Sequence, residues 1–245
     1  MRAAIVIPAR YASTRFPGKP LALLLGKPML QWVWEGARSA KLARQVIVAT
    51  DDERIGDAAR AFGAEVVMTD AAHPTGTDRL AEVARAVDAD VFVNVQGDEP
   101  LIRGEVIDAV LAPFADAAVQ MASACRAPGP DDDVASPDVV KVVRAQNGDA
   151  LFFSRSLIPH PRDAGAASAQ PRIHIGLYAY RRDFLLRYAA LAPTPLEQTE
   201  KLEQLRALEH GVRIRMVEVA YESIGVDRPA DLARAEARLS QASKR

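Results

Sequence analysis

An α/β fold is expected for this chain of 245 residues, on three observations. Apolar runs with the length and branching of buried strands recur at Ala3 to Ile7, Gln45 to Thr50, Glu65 to Met68 and Asp90 to Val95. Segments of helical periodicity lie between them, joined by short connections, which favours crossovers and a mainly parallel sheet with helices on both faces. Past Ala118 the pattern changes to hairpin-like strands. The whole is expected to be Rossmann-like, with an antiparallel extension for a second ligand and for dimerisation.

The elements follow in order. The first strand stops at Pro8, and Met29, Leu30, Val33, Trp34 and Ala37 predict a helix with Pro28 in its first turn. Asp51 or Asp52 can cap the next helix, near Glu53 to Phe62. The stretch His73 to Leu80 opens a third helix through Val87. Val139 to Arg144 and Ala150 to Ser154 flank Asn147-Gly148, a hairpin signal. Residues 158–172, rich in Pro, Ala and Gly, predict a mobile loop or lid. Ile173 to Tyr180 predicts a strand, Glu197 to His210 one amphipathic helix ending at Gly211, Val212 to Val219 a strand, and Pro229 to Leu239 a closing helix. One domain, 1–245, would thus comprise a core (1–118), an extension (119–222) and a return to the core (223–245).

Composition narrows the function classes. With 49% hydrophobic and 26% charged residues the chain is an ordinary globular one. A net charge of −1 argues against nucleic acid and anionic membranes as partners, so any anion site is local. The single cysteine, Cys125, excludes an intrachain disulfide, and its apolar neighbours make it a core residue. No apolar run approaches a membrane span and none at the N-terminus suits a signal peptide, so a cytoplasmic protein without membrane insertion is expected.

The local anion site is the loop after the first strand. Arg10, Arg15 and Lys19 fall within ten residues of one another, with hydroxyls on Ser13 and Thr14. Between a first strand and a first helix, such a loop suits a nucleoside triphosphate. It is not a Walker loop, because Gly18-Lys19 is followed by Pro20 and Ser13 stands where the first glycine belongs, and G-x-G-x-x-G is absent. A solvated basic loop is the bland alternative. Asp98, in Gln96-Gly97-Asp98-Glu99-Pro100 directly after the fourth strand, is placed to hold Mg²⁺ together with phosphate oxygens, or simply to cap a turn. Asp227, in Gly225-Val226-Asp227-Arg228-Pro229, reads by itself as a turn residue.

Pro8-Ala9-Arg10-Tyr11-Ala12-Ser13-Thr14-Arg15-Phe16-Pro17-Gly18-Lys19-Pro20-Leu21 resembles the opening motif of the CMP-Kdo synthetases, the 3-deoxy-manno-octulosonate cytidylyltransferases. Later segments resemble that family in order across nearly the whole chain. The resemblance implies a nucleotidyltransferase-type fold, a homodimer, and Mg²⁺-dependent transfer of CMP from CTP to Kdo for lipopolysaccharide synthesis. It implies that Asp98 and Asp227 hold the metal, although Arg228 replaces the threonine the family carries there. Arg10, Arg15 and Lys19, with Ser13 and Thr14, would act on the triphosphate, and Pro8 and Ala9 would bind the nucleotide through backbone carbonyls that read cytosine. His73 to Arg79 resembles the nucleotide-recognition segment, giving Thr75, Gly76, Thr77 and Arg79 nucleotide roles alongside Gln96.

The strand His174-Ile175-Gly176-Leu177-Tyr178 and the run Leu202-Glu203-Gln204-Leu205-Arg206 resemble the acceptor-binding segments. They imply that His174, Tyr178, Glu203 and Gln204 contact Kdo, with Arg155 suited to its carboxylate. By themselves, a strand histidine is more often structural and Glu203 a polar helix residue. Alternating side chains do place His174, Gly176, Tyr178 and Tyr180 on one face. A relative acting on amino-Kdo or a sialic acid, and a non-catalytic nucleotide-binding module, stay open as alternatives.

Overall fold

Seven residues of almost purely apolar character, Ala3–Ala9, form the central strand β1 and alternate between two cores. The computed structural model describes residues 1–12, 16–163 and 170–242. After β1 come a short ribbon, β2 (Leu23–Leu24) and β3 (Lys27–Pro28), then α1 (Met29–Arg38), β4 (Gln45–Thr50), α2 (Glu53–Ala61), β5 (Glu65–Met68) and α3 (Gly76–Ala86). Next are β6 (Val91–Asn94), α4 (Gly104–Leu111), β7 (Met121–Arg126), β8 (Lys141–Arg144), β9 (Ala150–Ser154) and β10 (Arg172–Arg181). The chain continues through α5 (Arg182–Ala189), α6 (Pro195–Glu200), α7 (Gln204–Glu209), β11 (Ile214–Glu218) and α8 (Pro229–Ala242).

The main sheet runs β11-β7-β10-β6-β1-β4-β5, with β8 paired to β10 and β9 to β8. Pairs β1–β4, β1–β6, β4–β5 and β7–β11 are parallel, whereas β10 is antiparallel to both neighbours. Ile5, Ile7 and Ala9 of β1 pack with α1, α2 and α4 on one face, and Ala4 and Val6 with α3, α5 and α7 on the other. A third cluster fastens α8, through Ala235 and Leu239, to Leu24, Met29, Ile224 and Val226. The α/β class with helices on both faces is therefore observed. The chain runs from β1 to β4 and β5 on one side and returns through α3 to β6 on the other side of β1, leaving a crevice at the C-terminal ends of these strands.

Several elements differ from expectation. Antiparallel strands are present as expected, but β10 is inserted between β6 and β7 within the sheet, and β11 is parallel to β7. Neither β7 nor α4 was expected; β7 (Met-Ala-Ser-Ala-Cys-Arg) is built of small residues with little strand propensity, and burial on both sides decides it. Pro28 is the N-cap residue of α1 rather than part of its first turn. The expected helix 197–210 is two helices, broken at Lys201 with φ 54°.

Other expectations hold. Asp52, not Asp51, caps α2 by accepting from Arg54 N. The β8–β9 hairpin turns through Asn147-Gly148, where Gly148 takes φ 87° and the register shifts at Val143/Arg144, as in a hairpin with a glycine bulge. Residues 164–169 of the expected lid lie outside the described residues, and those on either side, 155–163 and 170–171, carry neither helix nor strand.

Candidate active site

The crevice is built first from backbone. Gly18 N–H donates to Tyr11 O at 2.9 Å and closes the loop after β1, with Gly18 at φ 70°. The Tyr11 ring is held by the Arg54 guanidinium, 3.4 Å from its centroid. Loop closure sets Lys19 at the start of a short 3₁₀ turn, and its Nζ reaches Asp98 Oδ2 at 2.5 Å and Asp227 Oδ1 at 3.5 Å. Gly97 permits this approach, because a Cβ there would stand 3.0 Å from Pro8 O.

The two acidic segments, over a hundred positions apart, are also tied by Val226 N–H donating to Asp98 O at 3.0 Å. Asp231 accepts from Asp227 N and Arg228 N at 2.9 and 2.8 Å. It thus supplies at the start of α8 the reciprocal half of a capping box, on the N–H of Arg228, while the Arg228 side chain has no acceptor for the first helical N–H groups. Ser13, Thr14 and Arg15 lie outside the described residues.

Beside Asp98, Glu99 receives hydrogen bonds from Ser223 Oγ at 2.5 Å and Tyr221 Oη at 3.2 Å. Burial pushes its carboxyl up to about 7, against the pull of the Ser223 bond and aided by the negative charges of Asp98 and Asp227. Among the described residues no group of three or more His, Cys, Asp and Glu is arranged to hold a metal ion. Asp98 and Asp227 form a two-carboxylate arrangement around one ammonium.

On the nucleotide side, α3 begins at the crevice with a complete capping box. Thr75 Oγ1 accepts from Asp78 N at 3.2 Å, while Asp78 Oδ2 accepts from Thr75 N at 3.1 Å and from the Thr75 hydroxyl at 2.7 Å. The Thr75 hydroxyl is thus engaged within the helix start, whereas Gly76 and Thr77 line the cavity described below. Arg10 Nη2 donates to Pro74 O at 3.0 Å and fastens the first loop to this segment. Arg79 departs from expectation. It is fully buried, bonded to the Thr69 hydroxyl and 3.4 Å from Asp51, so it braces α3 against the ends of β4 and β5 rather than facing the cavity. Burial pushes its guanidinium down and Asp51 opposes this.

Beyond Asp98 opens a cavity of about 1170 Å³. Gln96, Asp98, Asp227, Arg155, His174, Tyr178, Glu203 and Gln204 all line it, so the expected metal and acceptor residues share one space. Pro8, Ala9, Arg10, Lys19 and Thr75 are not among the lining residues; Lys19 touches the lining carboxylates Asp98 and Asp227, and Arg10 is bonded to Pro74. Along β10, Ile175, Leu177 and Ala179 turn into the core opposite the alternating face of His174, Gly176, Tyr178 and Tyr180.

Burial holds the His174 imidazole down at about 3 and pushes the Tyr178 hydroxyl up. Burial also raises the Glu203 carboxyl, opposed by a Thr77 hydrogen bond. The break between α6 and α7 is what aims Glu203 and Gln204. Arg206 Nη2 and Nε donate to Glu197 at 2.5 and 2.8 Å, closing the elbow. Gln204 Nε2 is buried in the cavity wall with no hydrogen-bond partner, as is Asn94 Oδ1. Arg155 lines the cavity, but its guanidinium is taken up by backbone: Nε donates to Glu200 O at 2.7 Å and Nη1 to Pro137 O at 2.9 Å.

Sequence reasoning missed several lining residues. Asn94 was signalled as the one polar residue inside Val91-Phe92-Val93-Asn94, since a polar group in a buried strand needs a partner. Arg234 and Arg238, four apart on α8, share one helix face toward the cavity. Asp132, which pairs bidentately with Arg126 at 2.5 and 2.6 Å and shapes another wall, carried no local signal.

The comparisons agree with this geometry. A family model described as cytidylyltransferase matches residues 4–214. The 3-deoxy-manno-octulosonate cytidylyltransferase of Geobacter metallireducens is 56% identical, over 98% of this chain and 99% of its own. That of Myxococcus xanthus is 54% identical over 96% of each. A solved structure of CMP:2-keto-3-deoxy-manno-octonic acid synthetase complexed with CTP superposes with a TM-score of 0.93 at 46% identity, covering 99% of this chain and 100% of that one. The chain belongs to the cytidylyltransferase family, among the CMP-Kdo synthetases.

Proposed function

We propose that this protein activates 3-deoxy-manno-octulosonate: CTP and Kdo give CMP-Kdo and pyrophosphate, the step that feeds lipopolysaccharide assembly. The observation that carries the reading is the meeting of Lys19, Asp98 and Asp227 at the rim of one cavity whose far wall holds His174, Tyr178, Glu203 and Gln204. The anomeric oxygen of Kdo attacks the α-phosphorus, the bond to the bridging oxygen breaks, pyrophosphate leaves and the hydroxyl proton passes to solvent.

Mg²⁺ fits the site. Asp98 and Asp227 offer hard oxygen donors and already converge on one cation, the Lys19 ammonium. When bound it supplies Lewis-acid polarisation of the α-phosphate and acidifies the attacking hydroxyl. The chain's own residues do the rest. Lys19 and Arg10 place positive charge against the leaving pyrophosphate. The start of α3, with Gly76 and Thr77, presents backbone N–H groups to anionic or ribose oxygens. Gln96 lines the cavity next to Gly97, which supports its reading the cytosine edge. Tyr178, Glu203 and Gln204 hold the sugar hydroxyls so that only the anomeric oxygen faces phosphorus.

Pyrophosphate release from CTP plus Kdo, with CTP plus N-acetylneuraminate as control, tests this reading. Release with Kdo supports it, and release only with another acid sugar overturns the substrate assignment. A homodimer is part of the proposal: Leu151 and Leu157, on and just after the hairpin, and Leu196 of α6 are 61, 40 and 40% exposed, large apolar side chains that a second copy would cover. Sedimentation at monomer mass would overturn it. Cytoplasmic residence is proposed from the need for CTP, and no helix among the described residues is long and apolar enough to cross a membrane.

A further inference from the structure

The cavity wall at His174 contains an irregularity. Strand β10 pairs with β7 through Ile175↔Ala124 and then Tyr178↔Ser123, so Gly176 and Leu177 have no opposite residue and form a bulge. Ser123, fully buried, sits across it. Its Oγ lies 2.9 Å from Leu177 O, 3.4 Å from Ile175 O and 2.9 Å from His174 Nε2.

A hydroxyl has one proton to give, and a carbonyl can only accept. Giving that proton to Leu177 O satisfies a carbonyl at the bulge and leaves only lone pairs toward His174. Nε2 must then carry the ring proton and donate to Ser123. In a neutral imidazole this makes Nδ1 the acceptor. Nδ1 has no hydrogen-bond partner among the described residues, and the side chain lines the cavity. Phe153 edge-on at 4.9 Å and Tyr178 at 5.4 Å fix the plane of the ring. Burial keeps it neutral throughout the working pH range.

We propose that Ser123 is a positioning residue that locks His174 as the Nε2–H tautomer, so that Nδ1 is a fixed acceptor for one hydroxyl of the acceptor sugar. The site thereby demands a donor at that position and discriminates against sugars that lack one. The inference deepens the Kdo reading above and rests on it.

Two measurements test it. Nitrogen-15 NMR of the ligand-free protein should show His174 with a protonated Nε2 and a bare Nδ1, unchanged between about pH 5 and pH 8. An Nδ1–H tautomer overturns the proposal. In kinetics, Ser123→Ala should raise the KM for Kdo about 5- to 10-fold, the worth of one hydrogen bond, with the KM for CTP unchanged. Asn at position 174 can place an amide oxygen near the Nδ1 position without help from Ser123. In a His174→Asn background, Ser123→Ala should therefore change the KM for Kdo less than about 2-fold. Equal losses in both backgrounds would assign Ser123 to packing alone and overturn the proposal. Failure of wild-type protein to use Kdo would instead overturn the substrate reading, while the NMR result would still decide the tautomer.

Discussion

Lys19 shows how one side chain can hold a site ready. Its ammonium rests between Asp98 and Asp227, which would otherwise repel each other across the crevice. Asp98→Asn leaves that ammonium a partner in Asp227 but removes one of the two oxygen donors proposed for Mg²⁺. Groups one shell further out are worth about 10- to 100-fold, so kcat should fall by at least ~100-fold with the melting temperature nearly unchanged. Stopped-time pyrophosphate assays at saturating Mg²⁺ check this, and near wild-type turnover would remove Asp98 from the site.

His174 makes a second prediction at this scale. Its folded value of about 3 lies below the ordinary 6.5, so the unfolded chain takes up the proton first as pH falls. Its contribution is intact above about pH 6.5 and is lost as pH drops from there toward 3, at up to ~1.4 kcal/mol per pH unit. His174→Asn should therefore gain stability relative to wild type as pH falls through that window. Urea titrations of both proteins at several pH values measure it, and parallel curves would contradict it.

Among the elements, the α6–α7 elbow turns a sequence that reads as one helix into a device that points Glu203 and Gln204 inward. Burial pushes the Glu197 carboxyl up, but the Arg206 guanidinium and Thr194 N–H outweigh it and hold it below its usual range. With side chains only 13 and 9% exposed, breaking the pair strands a charge away from water. Glu197→Gln should cost about 3 kcal/mol and, by loosening the elbow, raise the KM for Kdo more than that for CTP. Thermal melts and the two KM values test this; equal changes in both would separate the elbow from the acceptor side. The β10 bulge works similarly, since an irregularity in pairing brings Ser123 under His174.

For the whole molecule, Lys19 in the loop after β1, the Asp98 segment after β6 and the Asp227 segment before α8 meet only because the sheet brings them to one crevice. A ligand bridging them should stabilise the folded state globally. At CTP a hundredfold above its Kd the gain is ~2.7 kcal/mol, a rise in melting temperature of roughly 5–10 °C for a chain of this size. If Mg²⁺ is held by Asp98 and Asp227, chelation with EDTA should remove most of that rise. A shift indifferent to chelator would place the nucleotide independently of the metal.

What the sequence determined by itself was local and periodic. Strands β1, β4, β5 and β6 and the helices between them were legible because apolar spacing reports burial directly, and Asn147-Gly148 announced its hairpin because few residues accept the turn. The motif-bearing residues were legible through resemblance, which supplied Asp227 where position alone suggested a turn. Tertiary structure decided what depends on neighbours distant in the chain. It inserted β10 between β6 and β7, broke the helix at Lys201 for a buried ion pair, and turned Arg79 inward to brace Asp51. It also set Asn94 at the cavity and Ser123 beneath His174. Hydrogen-bond partners and burial are properties of packed surfaces, and no window of sequence contains both sides of a contact.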